Sequence, residues 1–131
     1  MNTKAKGEIS QAIIMTRLLQ KGFSVSIPFG DNQRYDLLLD TGTELLKVQC
    51  KTAWLDRGRL RANTCSTFPN KNRKRINYID SIDMFLIYSP DTDKVYKVNI
   101  RDAGITEIIL RLDAPKRKDK NIRMAKDFEY C

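Results

Sequence analysis

Three side chains in this sequence have the types and spacing to do chemistry together. Asp36 interrupts the otherwise apolar run Tyr35-Asp36-Leu37-Leu38-Leu39. Gln49 and Lys51 lie two apart in Leu46-Lys47-Val48-Gln49-Cys50-Lys51. Both segments read as strands, so Gln49 and Lys51 share one face while Leu46, Val48 and Cys50 take the other. In the simplest hairpin, with Thr41-Gly42 as the loop, Asp36 opposes Lys47, and Gln49 is its diagonal neighbour about 7–8 Å away. A carboxylate, an amide and an ammonium converging beside a core must be paired, bind a metal, or stand at the mouth of a site. From the residues alone an Asp–Lys pair on a half-exposed hairpin and an ion site both stay open. Glu8 offers a second carboxylate. Sharing a helix face with Ala12, Met15 and Leu19 it can reach the sheet; alternatively it is an acid placed in the first helical turn, where the dipole favours it.

The elements that must position these residues follow from periodicity. Residues 3–21 form a helix whose apolar stripe is Ile9, Ala12, Ile13, Thr16 and Leu19, at steps of three and four. Gly22 suits the left-handed position after its end. Phe23, Val25 and Ile27 alternate with serines as a strand, closed by Pro28 and Gly30-Asp31-Asn32. Strands are expected over 34–40, 44–54 and 58–63, with a tight turn at Asp40-Thr41-Gly42-Thr43. Residues 64–75 read as a basic loop. A short helix over 76–81 leads into the apolar strand 84–88, and Pro90-Asp91-Thr92-Asp93 turns the chain into a return strand over 95–100. Residues 105–112 fit a strand or a helix. Trp54 reads as core. The order is that of a single α/β (α+β) domain with a mixed sheet.

Composition narrows the chemistry. Apolar residues make up 41% and charged residues 31%, enough to build a core and too ordered a balance for a disordered tail. No apolar run approaches the roughly 20 residues of a membrane span, and Met1-Asn2-Thr3-Lys4-Ala5-Lys6 lacks a signal peptide's apolar stretch. Histidine is absent, which excludes Ser-His-Asp triads, Cys-His pairs and His-ligated zinc. The three cysteines, Cys50, Cys65 and Cys131, contain no C-x-x-C and are odd in number. That argues against a disulfide framework or zinc ribbon and for a reducing cytoplasm.

The net charge of +8 is clustered. Residues 57–75 hold Arg57, Arg59, Arg61, Lys71, Arg73, Lys74 and Arg75 with no acid, a charge of +7. Residues 115–126 hold Lys116, Arg117, Lys118, Lys120, Arg123 and Lys126 against Asp119, a charge of +5. The other 100 residues therefore sum to 8 − 12 = −4. A mildly acidic body with two basic segments is the footprint of a polyanion partner. Spaced by two, Arg57, Arg59 and Arg61 share a strand face that can read a major groove. Lys71, Arg73, Lys74 and Arg75, in a loop, suit phosphates.

The order of these pieces resembles the PD-(D/E)XK nuclease superfamily. Lys6-Gly7-Glu8, Arg34-Tyr35-Asp36, Val48-Gln49-Cys50-Lys51, Tyr78-Ile79-Asp80 with Phe85-Leu86-Ile87-Tyr88, and Leu110-Arg111-Leu112 together look like the small group I intron-encoded homing endonucleases within it. The resemblance runs over roughly residues 4–130. Tyr35 stands where the superfamily name has proline, and Gln49 where the usual acid would be, giving a divalent cation a neutral oxygen and one charge fewer. The resemblance implies a restriction-endonuclease-like core, with residues 57–75 as a basic strand and loop insertion, and Mg²⁺-dependent, sequence-specific hydrolysis of double-stranded DNA. Mn²⁺ would stand in for Mg²⁺. Asp36 would be the central metal ligand, joined by the Cys50 carbonyl and Gln49, with Glu8 acting directly or through water. Lys51 would position or activate the attacking water. Arg57, Arg59, Arg61, Lys71, Arg73, Lys74, Arg75, Lys116, Arg117 and Lys118 would contact DNA. A homo-oligomer, either a dimer or a dimer of dimers, in a bacterial cytoplasm and on the nucleoid when bound, completes the expectation. The alternatives are a Holliday-junction resolvase or restriction-type enzyme, and a non-catalytic nucleic-acid-binding protein, which would leave Asp36 and Lys51 without a role.

Overall fold

In the computed structural model the described residues are 1–67, 75–77, 81–104, 106–113 and 122–131, without the side chains of 66, 67 and 75–77. The chain opens with α1 (Thr3–Gln20). The Asn2 side chain caps it by accepting from the Ala5 N–H at 2.8 Å. Gly22 takes φ +86° just past its end, as expected of the residue that leaves a helix left-handed. Strands β1 (Ser24–Ser26), β2 (Leu37–Asp40), β3 (Leu45–Thr52), β4 (Trp54–Asp56) and β5 (Arg59–Asn63) follow. Next come β6 (Cys65–Thr67), β7 (Arg75–Asn77), β8 (Met84–Ser89), β9 (Lys94–Asn99) and β10 (Glu107–Arg111).

Among the described residues the strands form a five-stranded sheet ordered β1-β2-β3-β8-β9, a three-stranded sheet ordered β10-β5-β4, and the pair β6-β7. Only β3 and β8 pair in parallel in the large sheet, which is therefore mixed, in an α+β fold. Two cores result. One face of the large sheet, with Leu37, Leu39, Val48, Met84, Leu86 and Val95, packs on α1 through Ile14 and Leu18. The other, with Phe85, Ile87, Tyr96 and Val98, packs on Leu60, Ala62, Ile108 and Leu110 of the small sheet. Each fully buried aliphatic side chain stabilises by about 1.5–3 kcal/mol, so tertiary packing rather than propensity holds α1.

Several expectations change. The buried stripe of α1 is Ser10, Ile14 and Leu18, while Ile9 and Leu19 are 44% and 55% exposed. Apolar residues lie almost all round this helix, so periodicity alone chose the wrong side. The β2–β3 hairpin closes on a four-residue loop with Asp40 opposite Leu45, Thr41 N–H donating to Glu44 O at 3.0 Å. The register thus differs by two from the two-residue turn. Cys65–Thr67 pairs antiparallel with Arg75–Asn77 where a loop and the start of a helix were expected. Residues 78–80 of that helix, Lys71, Arg73 and Lys74, and Lys116, Arg117 and Lys118 lie outside the described residues. The ambiguous segment is a strand, fixed by pairing Glu107 with Asn63 through Arg111 with Arg59.

Candidate active site

Asp36 sits one residue before β2 and is tied twice to β3. Its N–H donates to Val48 O at 2.8 Å, and its Oδ2 accepts from the Cys50 N–H at 2.8 Å. The two-residue change of register keeps every side chain on its face, because the strand period is two. It brings Asp36 alongside Gln49 instead of Lys47, since Leu37 is paired with Val48.

The electrostatics are those of a carboxylate short of cations. Burial pushes the Asp36 pKa up, and the Cys50 N–H and the Lys51 ammonium only partly offset it. Beside it, Gln49 Oε1 is buried with no hydrogen-bond partner among the described residues. An orphaned buried acceptor costs roughly 1–3 kcal/mol, a cost that a cation in reach would remove. The Cys50 thiol packs toward the α1 core. Burial and the Asp36 charge raise its pKa, so it stays protonated. The Cys50 carbonyl is directed to the same strand edge as its N–H, beyond the point where β2 pairs. One carboxylate and two neutral oxygens match a hard cation that keeps most of its water. Among the described residues no three His, Cys, Asp or Glu side chains converge, so an ion here depends on those neutral oxygens.

Lys51 follows on the Gln49 face and lines a cavity of about 830 Å³ between the first turns of α1 and the start of β4. Lys6, Ser10, Trp54, Asn63 and Cys65 share its wall. Ser10 Oγ lies 2.6 Å from Thr52 Oγ1, fixing the helix to the strand end beside Lys51. Sequence reading missed Lys6 and Ser10; the only available signal was their place in the first helical turns. Trp54 is a correction: it is 40% exposed, at the cavity rim, with the Arg61 guanidinium 5.9 Å from its ring centre. Glu8 is exposed and not part of this wall. It precedes Ser10 by two residues, about 200° round the helix, which turns it from the buried stripe. The structure brings Asp36, Gln49, Cys50 and Lys51 together.

The arginine strand is also redrawn. Arg57 leaves it, because Asp56 pairs with Arg59 and Arg57-Gly58 form the turn between, with Arg57 at φ 53°. Arg59 and Arg61 do share a face, yet both are in ion pairs, at 3.3 Å and 2.8 Å from Asp56 Oδ2. Arg61 also pairs with Glu107 at 2.7 Å. The Arg61 hydrogen bond, with help from Arg59 and Arg57, holds the Asp56 carboxyl below the usual range.

A family model described as PD-(D/E)XK endonuclease matches residues 1–131. The chain belongs to the PD-(D/E)XK endonuclease family. The PD-(D/E)XK fold is also seen in a solved structure described as that of a bacterial homing endonuclease, I-Ssp6803I. The two share 29% sequence identity with a TM-score of 0.79, over 98% of this chain and 89% of that one. No curated protein matches the chain. PD-(D/E)XK nucleases generally use divalent metals, and their substrate is DNA.

Proposed function

We propose that this endonuclease hydrolyses double-stranded DNA at a specific sequence with Mg²⁺, or Mn²⁺ in its place, as an intron homing enzyme of the bacterial cytoplasm. The observation that carries the reading is the desolvated Asp36 carboxylate beside the orphaned Gln49 oxygen, at the strand position that leads to Lys51 and its cavity. Likeness to a bacterial homing endonuclease supports the biological role.

Asp36, Gln49 Oε1 and the Cys50 carbonyl would hold the ion. When bound, it supplies charge for the scissile phosphate and an acidified water. Lys51 orients the attacking water and donates to the phosphate oxygen on which charge develops. One P–O ester bond breaks as the water oxygen bonds to phosphorus, leaving a phosphate end and a hydroxyl end. The Cys50 N–H fixes the Asp36 carboxylate, so that little reorganisation is needed at the moment of reaction. Glu8 would act directly or through a water. One site cuts one strand, so double-strand cleavage calls for at least two copies about a two-fold axis.

The test is to incubate the purified protein with linear genomic DNA and a four-way junction side by side, in Mg²⁺, Mn²⁺ or EDTA, and to sequence the ends. Ends recurring at one sequence, only with metal, are expected. Cleavage confined to the junction makes it a resolvase. Binding without any cleavage makes it a nucleic-acid-binding protein.

A further inference from the structure

The small sheet turns Leu60, Ala62, Ile108 and Leu110 to the core. Its opposite face carries two rows across the strands. Trp54, Arg61 and Ile109 form one, and Asp56, Arg59 and Arg111 the next. This face is open, with the Arg59 and Arg61 side chains each 30% exposed. Arg61 at its centre already has its donors engaged. Nε donates to Glu107 Oε2 at 3.1 Å, and Nη2 to Glu107 Oε1 and Oε2 at 2.7 and 2.9 Å. Nη1 donates to Asp56 Oδ2 at 2.8 Å.

A carboxylate in that two-pronged geometry has the shape and charge of a phosphate. It also fills the edge an arginine presents to guanine O6 and N7. We infer that Glu107 determines specificity on this face as an internal stand-in for phosphate, withholding Arg61 from indiscriminate backbone binding. The inference rests on the DNA-cleaving reading above. The physical argument is one of exchange. A generic phosphate that takes Arg61 must displace an equivalent partner and then face the released Glu107 charge, so it gains little. A site whose other contacts are complementary overcomes that exchange; random duplex does not. Arg59 is held more loosely, with Nη2 3.3 Å from Asp56 Oδ2, and stays the more available reader.

The test measures anisotropy of a short fluorescein-labelled duplex of random sequence, in EDTA to prevent cutting, across a salt series. Glu107→Gln should bind roughly three- to tenfold tighter, with the slope of log K against log salt steeper by about one, the effect of one added phosphate contact. Arg61→Ala/Glu107→Gln should lose that gain. Glu129→Gln removes equal charge from the Lys94 pair, 2.8 Å long and away from this face, and should leave the slope unchanged. Melting curves check folding, and Arg61→Met, which keeps the apolar stem, replaces Arg61→Ala if the latter unfolds. The inference is overturned if Glu107→Gln binds as wild type, or if the double variant keeps the gain, which would make it bulk charge. Wild type that ignores the duplex at every salt concentration overturns the DNA reading itself, whereas binding with no Glu107 effect overturns only this inference.

Discussion

The hydroxyls of Ser10 and Thr52 lie 2.6 Å apart and join α1 to the strand that carries Lys51. Ser10 is only 2% exposed, so its hydroxyl has little access to water as a replacement partner. Ser10→Ala or Thr52→Val alone should each cost about 1–3 kcal/mol by orphaning the other hydroxyl. The double variant should cost clearly less than their sum. Thermal melts of the four proteins check this; strictly additive losses would mean that the bond stabilises nothing.

Asp36→Asn and Lys51→Ala should each reduce DNA cleavage by several orders of magnitude. Their stabilities should stay near wild type or, for Asp36→Asn, rise. The sign follows from the raised pKa: burial disfavours the charged carboxylate in the folded state, and asparagine removes that charge. A wild-type cutting rate for Asp36→Asn would remove Asp36 from the reaction, and a collapse in melting temperature would mean that its role is structural. Glu8→Gln should cost far less activity than either.

Gln49→Glu places a second carboxylate beside Asp36. Two like charges there should lower the melting temperature in EDTA. Added Mg²⁺ or Mn²⁺ should then raise it, at lower metal concentration than wild type requires for its own shift. Melting against metal concentration reads this without any DNA. A variant indifferent to metal would place Gln49 away from the ion.

Asp93 offers a test by pH. The Tyr88 hydroxyl, 2.8 Å away, and the Arg17 guanidinium, 2.7 Å away, hold its carboxyl below the ordinary range. A depressed carboxylate stabilises the fold above the unfolded pKa of about 3.9, and that contribution is lost as pH falls through the lower folded value. Asparagine tolerates the left-handed φ of 55° at this position. Asp93→Asn should therefore melt below wild type at pH 7, the gap closing as pH falls below about 4. A gap that persists at low pH would assign it to shape rather than charge.

How much the sequence disclosed depends on which physical rule each residue obeyed. Asp36, Gln49 and Lys51 were placed on one face correctly although the hairpin register was off by two, because a shift of two leaves the faces unchanged. Glu8, set on a face with Ala12, Met15 and Leu19, is exposed, because a helix apolar nearly all round gives no reliable phase. Arg61 looked available because its partner Glu107 lies 46 residues away in sequence, on β10, in a segment whose identity as a strand is set by pairing with β5. Trp54 looked like core by composition, but β4 is the edge strand of the small sheet, and Trp54 and Leu55 are both exposed there.

Between Lys51 and Trp54 stand only Thr52 and Ala53. Ala53 is 4% exposed, and its N–H donates to Tyr88 O at 2.8 Å, so no slack loop separates the large sheet from the small one. The polypeptide itself thus acts as a caliper. The offset between the phosphate that would be cut and the base pairs that would be touched is written in covalent bonds rather than in a movable joint. On the proposed reading of DNA, targets would drift by exchange of side chains on the outer rows, but not by a change of spacing. A single inserted residue at Ala53 would turn Trp54 and Asp56 away from the rows they share with Arg61 and Arg59, undoing both in a single step.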